Sequence, residues 1–351
     1  MVIAKLKSTH PILQSMKRAN NLLPLIVEPE NLRLALWKAQ KGKKWSNAVR
    51  QYYDAGWQSG LLVLRKEIAS GEVSVGDYYF FTIFDPKERE ICAPAFREQI
   101  LHHALMNVCH EYFERKQIFD SYASRKGKGT YKALERAKYY TDKYTWYLKL
   151  DVKKFFANIQ HEILEQQLSC LFKEDVLLGI FRQIIDSYED TVARGVPIGN
   201  LSSQYFANHY LSAFDHWVKE ELRYKAYIRY MDDMIFWANT KTALQDALKG
   251  IQTQMEQLSL ILKPAQLNQC RFGLPVLGYR VYPDQQVRLG KRAKRRFIKQ
   301  TEDLDQAYVT GLLSEDSYQR RLQSLTAFTT HAQACAFRQR VLTASGHFDR
   351  F

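Results

Sequence analysis

The run Tyr227-Ile228-Arg229-Tyr230-Met231-Asp232-Asp233-Met234-Ile235-Phe236-Trp237 sets two adjacent carboxylates inside aromatic and β-branched sequence. Such a pattern predicts a tight β-hairpin whose tip presents acid groups. Neighbouring carboxylates repel and raise each other's pKa, so a pair kept ionised at neutral pH needs a cation beside it. The expected cation is Mg2+, a hard ion that shares its shell among one or two carboxylates, water and phosphate oxygens. Asp-Asp in a turn is also ordinary turn chemistry. A second run adds weight: Trp146-Tyr147-Leu148-Lys149-Leu150-Asp151-Val152-Lys153-Lys154-Phe155-Phe156 again carries an apolar strand-like stretch into a carboxylate. Asp151 and Asp232 are therefore expected on adjacent strands of one sheet. Three carboxylates converging at strand ends suit two-metal phosphoryl transfer, one ion activating a hydroxyl and the other holding the leaving group.

The bulk of the chain is compatible with that chemistry. It has 351 residues, 46% of them hydrophobic, enough for one large domain or two to three subdomains. A formal net charge of +14 suits a polyanionic partner, since lysine and arginine neutralise phosphates and release condensed counterions. No apolar stretch reaches spanning length, and Met1-Val2-Ile3-Ala4-Lys5 lacks the apolar core of a signal peptide. Cys92, Cys109, Cys170, Cys270 and Cys335 show no paired spacing, which argues against a disulfide framework or a zinc knuckle. The expectation is a cytoplasmic protein with no membrane partner.

The elements that must position the carboxylates follow from periodicity. Residues 1 to about 80 are expected to be mainly helical, with a basic turn at Lys41-Gly42-Lys43-Lys44. Tyr78 to Phe84 is expected as a strand closed by the turn Asp85-Pro86-Lys87, and Phe96 to Phe113 has helical spacing. Arg125-Lys126-Gly127-Lys128-Gly129-Thr130 is a basic glycine loop in which Thr130 is expected to cap a following helix; a solvated turn is the plain alternative. One long helix is expected from Leu201 to Leu222, with Tyr205, Phe206, Tyr210, Phe214, Trp217 and Val218 as core. Lys291-Arg292-Ala293-Lys294-Arg295-Arg296 opens a final helical segment to about Val341, either a solvated helix face or a grip on a duplex backbone. His102, His103 and His110 fall on one predicted helix and are expected as surface or satisfied core histidines.

Taken in order, these segments resemble a reverse transcriptase. The Asp151 strand resembles the first catalytic motif, Gly195-Val196-Pro197-Ile198-Gly199-Asn200-Leu201-Ser202-Ser203-Gln204 the second, Tyr230-Met231-Asp232-Asp233 the third, and Leu277-Gly278-Tyr279 the primer grip. The resemblance implies an α/β (α+β) right-hand polymerase with fingers, an antiparallel palm and a helical thumb. The expected boundaries are 1–145 for an N-terminal helical extension and fingers, 146–283 for the palm with fingers-associated helices at about 160–195, and 284–351 for the thumb. No added RNase H or integrase domain is expected in the thumb-sized stretch beyond Pro283. The Ile198-Gly199-Asn200-Leu201-Ser202-Ser203-Gln204 form resembles reverse transcriptases of diversity-generating retroelements. Those copy a template-repeat RNA into cDNA with frequent errors opposite adenine, aided by a small basic oligomeric accessory protein. Phage-defence and group II intron-like enzymes share the core motifs, and an RNA-binding scaffold on the same fold is the rival from another class.

The resemblance also implies roles. Asp151, Asp232 and Asp233 would be catalytic and, with the Val152 carbonyl, would bind two Mg2+ ions, with Mn2+ as a substitute. Lys87 and Arg89 would clasp the incoming dNTP, Phe156 would be the steric gate against a 2′-hydroxyl, and Gln204 would line the nucleotide site. Gly199 would let base and template approach the backbone. Ile198 replaces an amide, which removes hydrogen bonds that select correct pairs. Lys263 would act as general acid toward pyrophosphate. Arg125, Tyr230, Met231, Leu277, Gly278, Tyr279, Lys291, Arg292 and Arg295 would contact primer, cDNA product and template RNA.

Overall fold

The computed structural model describes residues 17–84 and 88–344. Its elements run α1 (Leu23–Ile26), α2 (Pro29–Ala39), α3 (Asn47–Asp54), α4 (Trp57–Ser70), β1 (Tyr78–Ile83), β2 (Arg89–Pro94), α5 (Phe96–Arg115), α6 (Thr130–Lys143), β3 (Trp146–Asp151), α7 (Phe155–Asn158), α8 (His161–Leu171) and α9 (Asp175–Asp186). There follow α10 (Leu201–Tyr210), α11 (Ser212–His216), β4 (Tyr227–Tyr230), β5 (Asp233–Ala238), α12 (Lys241–Gln257), β6 (Gln266–Gln269), β7 (Leu274–Val276), β8 (Tyr279–Val281), β9 (Val287–Leu289), α13 (Lys291–Val309), α14 (Glu315–Thr330) and α15 (Cys335–Ala344). The chain divides into two compact units that interleave along the sequence. Among the described residues, one comprises 17–84, 88–119, 152–223 and 252–262, the other 120–151, 224–251 and 263–344.

The first unit is built of amphipathic helices. In α9 the buried residues Leu177, Ile180, Phe181, Ile184 and Ile185 recur at three- and four-residue steps, which gives one apolar stripe. Its core is aromatic: the Phe172 ring lies 5.4 Å from Phe113 and 5.3 Å from Phe181, in edge-to-face contacts that favour the ring quadrupoles. The hairpin β1–β2 belongs to this unit and pairs Tyr78 with Pro94 through Ile83 with Arg89. The helix expected from Leu201 to Leu222 is instead three pieces, α10, α11 and a π-helical turn at Trp217–Glu221. At the first break the Ser212 hydroxyl donates to the His209 carbonyl at 2.7 Å, and such local bonds compete with the helical ladder. Of the expected stripe, Phe206, Tyr210, Phe214 and Val218 are buried, whereas Tyr205 and Trp217 are half-buried.

The second unit holds a four-stranded antiparallel sheet in the order β4-β5-β3-β6 and a three-stranded sheet β7-β8-β9. Directly opposite residues of antiparallel strands share a face. The register therefore places Asp151, Asp233 and Tyr230 on one face at the sheet end, with Lys149 two residues back on the same face. Farther from that end the same face is dry. Tyr147, Ile228, Ile235 and Trp237 join Ala133, Leu134, Ala137 and Tyr140 of α6, and Val276, Tyr279 and Val281 of the small sheet, in one core cluster.

Candidate active site

The hairpin expected at residues 227–237 forms between β4 and β5, with a two-residue loop of Met231 and Asp232. Met231 has φ +55°, which an L residue adopts at a cost of about 1–2 kcal/mol, and two-residue hairpin loops normally place glycine there. Strain of this kind clusters at functional sites. The loop lifts Asp232 beside the cross-strand pair Asp151 and Asp233.

Asp232 is half-buried, and its carboxyl is pushed up to about 6. Burial is the main cause, followed by the charge of Asp151; Asp233 adds to the rise and the Lys263 ammonium opposes it. The other two carboxylates each hold a lysine. Lys263 Nζ donates to Asp151 Oδ1 at 2.5 Å, and its backbone N–H donates to the Asp151 carbonyl at 2.8 Å. Lys149 Nζ lies 3.3 Å from Asp233 Oδ1. Three carboxylates, two of them paired with lysine ammonium groups, form a set of hard oxygen donors that fits a hard divalent cation. Among the described residues, no three His, Cys, Asp or Glu side chains already enclose an ion-sized site.

Lys149 and Arg229 are absent from the residues singled out by sequence, yet both belong to this centre. Lys149 had a legible signal, since two residues before Asp151 on a strand means the same face. Arg229 had none: it is fully buried, and its Nη1 donates to the Met231 carbonyl at 3.1 Å.

The primer and template candidates of this unit fall in two groups. Tyr230 is half-buried, with its hydroxyl 3.2 Å from Thr130 Oγ1. Thr130 does not cap α6: Gly129 is the cap residue at φ +98°, and no side chain caps the helix. Arg125 Nη1 donates to the Ser121 carbonyl at 2.7 Å. The second group is the turn between β7 and β8, where Leu277 and Gly278 both take positive φ. The Gly278 carbonyl accepts from Gly290 N–H at 2.9 Å, which ties the turn to the start of α13. Lys291, Arg292 and Arg295 are exposed there. Tyr279 does not present its ring to a ligand. It is 1% exposed, and its hydroxyl donates to the Phe328 carbonyl at 2.8 Å, so it anchors the turn.

The nucleotide-site candidates lie in the first unit, apart from Lys263 and from Lys87, which is outside the described residues. Arg89 starts β2 and is exposed. Val152 is buried and bridges to Leu262. Phe156 is half-buried on α7, edge-on to Phe155 at 5.8 Å. Gln204 is half-buried on α10. The Ile198 carbonyl accepts from Cys92 N–H at 2.8 Å, and Gly199 sits at φ +139°. A Cβ on Gly199 would lie 2.6 Å from the Cys92 carbonyl oxygen, so the close approach at this glycine is by the protein's own strand β2. Of the three histidines, His102 is buried with Nε2 3.2 Å from Glu98 Oε1, and His110 Nδ1 is 3.0 Å from the Tyr205 hydroxyl. Burial pushes His103 down to about 4.

The fold is shared with solved telomerase structures. An apo telomerase of Candida tropicalis superposes with a TM-score of 0.51 at 13% identity, over 82% of this chain and 64% of that one. A telomerase of Candida albicans, in complex with a TWJ fragment of telomeric RNA, gives 0.45 at 14% identity over 76% and 59%. Residues 86–281 match the family model described as reverse transcriptase (RNA-dependent DNA polymerase), and the chain belongs to that family. A curated relative, the putative COX1/OXI3 intron 1 protein of Saccharomyces cerevisiae, is 21% identical over 212 residues. The match takes in 57% of this chain and 25% of the relative, so the chain spans about a quarter of that protein's length. No helix among the described residues is long and apolar enough to cross a membrane.

Proposed function

We propose that this chain is an RNA-directed DNA polymerase that extends a primer 3′-hydroxyl with deoxynucleotides on an RNA template. The observation that carries the proposal is the register of Asp151 opposite Asp233, with Asp232 raised on the adjoining loop. Asp151, Asp232 and Asp233, with the Val152 carbonyl, would hold two Mg2+ ions, or Mn2+, which when bound supply positive charge at the attacking and leaving oxygens. The Lys263 ammonium beside Asp151 is our candidate for proton donation to pyrophosphate. Lys87 and Arg89 would meet the triphosphate and Phe156 the sugar, with Gln204 nearby. Arg125, Tyr230, Met231 and the Leu277–Gly278 turn would contact primer and template. Lys291, Arg292 and Arg295 would add phosphate contacts without base specificity.

The finer reading is a diversity-generating retroelement enzyme that copies a template-repeat RNA into adenine-mutagenised cDNA with a small basic accessory protein. It rests on Ile198, whose apolar side chain offers no hydrogen bond to select a correct pair, and on the Ser203-Gln204 ending. Primer extension on RNA by the native chain and by Asp232→Ala tests the activity; equal incorporation by both ends the polymerase reading. Sequencing cDNA from an adenine-containing template tests the retroelement reading, which falls if errors at adenine do not exceed those elsewhere.

A further inference from the structure

Arg229 is 0% exposed, an unusual place for an arginine. Strand alternation decides what it can reach. Tyr230 faces Asp233 and Asp151, whereas Arg229 pairs with buried Met234 and so points to the opposite face of the sheet. Its guanidinium therefore acts on the carboxylates through the backbone: Nη1 donates to the carbonyl of Met231, the residue held at φ +55° immediately before Asp232. Arg229 is itself fixed. Its N–H donates to the Asp120 carbonyl at 2.9 Å, and its carbonyl accepts from Tyr122 N–H at 2.9 Å, in a parallel bridge to Ser121. Asp120 in turn accepts from Arg136 Nε at 3.0 Å and from the Tyr122 hydroxyl at 3.1 Å.

We propose that Arg229 is a positioning residue that holds Met231 in its left-handed conformation and thereby aims Asp232 at the divalent cation. The proposal rests on the reading that the carboxylates bind metal. A group that orients a metal ligand in this way is worth about 10–100-fold in metal affinity. Glycine takes a left-handed conformation without steric cost. A glycine at 231 therefore makes the clamp dispensable, whereas it cannot repair a gap left in the core by a lost arginine.

The test uses the full chain as wild type, Arg229→Gln, Met231→Gly and the double variant. Mn2+ is titrated against thermal stability and, separately, against primer extension. The expected result is about a tenfold rise in half-saturating Mn2+ for Arg229→Gln, with the double variant returned to within about threefold of Met231→Gly alone. Arg229→Lys, which keeps a donor and the charge, should fall between wild type and Arg229→Gln, and it replaces the glutamine variant if that one does not fold. A lowered melting temperature with unchanged half-saturation, or a double variant as impaired as Arg229→Gln, overturns the positioning role. A wild-type chain that Mn2+ does not stabilise overturns the metal reading itself, and this inference with it.

Discussion

Gly199 and Met231 both have positive φ, and they carry opposite constraints. At Gly199 the backbone needs the absence of a Cβ, because the Cys92 carbonyl stands 2.6 Å from where that atom would be. At Met231 a full side chain tolerates a conformation that would suit glycine, with the Arg229 guanidinium on its carbonyl. The glycine serves the packing of its own unit, and the methionine marks the loop that carries Asp232. A motif residue can thus be demanded by packing alone, while a strained residue elsewhere sits where the chemistry is proposed.

The comparison breaks most severely if the sheet end proves unnecessary for chemistry. Asp151→Asn should lower primer extension about a thousandfold, since it removes several kcal/mol of charge organisation at the reacting phosphate, while thermal stability stays near wild type. Single-turnover extension rates and melting curves check both halves. Gly199→Ala should do the reverse in kind, costing about 2–4 kcal/mol of folding stability through overpacking against Cys92 and a disfavoured φ. Denaturant unfolding measures it, and a cost under about 0.5 kcal/mol, typical of an unconstrained surface site, would mean that the glycine is not a packing requirement.

Smaller effects sharpen the electrostatic side. Because the folded-state pKa of Asp232 is raised, the folded chain holds that proton more tightly than the unfolded chain. This contribution is present below the unfolded value and is lost as pH rises through about 6. Asp232→Asn should therefore stabilise the metal-free chain by about 1–2 kcal/mol at pH 8 and by nearly nothing at pH 4. Unfolding midpoints at the two pH values decide it; an equal gain at both would assign the effect to packing. Smallest, Met231→Gly should raise stability by about 0.5–1 kcal/mol by relieving the left-handed strain, net of the entropy glycine loses on folding.

The carboxylate hairpin was legible because its signals are local. The aromatic and β-branched runs flanking Asp232 and Asp233, and the apolar run ending in Asp151, mark strands locally, and the two-residue repeat of a strand fixes which residues share a face. The long helix over 201–222 misled because its apolar stripe is real but Ser212 competes for the ladder, a side-chain bond that periodicity does not register. Thr130 misled because the preceding glycine, at φ +98°, took the cap position. Tyr279 lay in a recognisable motif, yet only packing against Phe328 shows that its ring is inside.

The sequence by itself determined the class of chemistry: acid residues at strand ends, a basic surface for a polyanion, and the order of the motifs. These are properties of residue type and spacing, which the chain carries in any conformation. The tertiary structure alone decided that Lys263 and Lys149 neutralise Asp151 and Asp233, that Gly199 is filled by Cys92, and that a buried arginine reaches under the loop to Met231. Those contacts join residues far apart in sequence or on opposite faces of a strand, and no local pattern encodes which of them will meet.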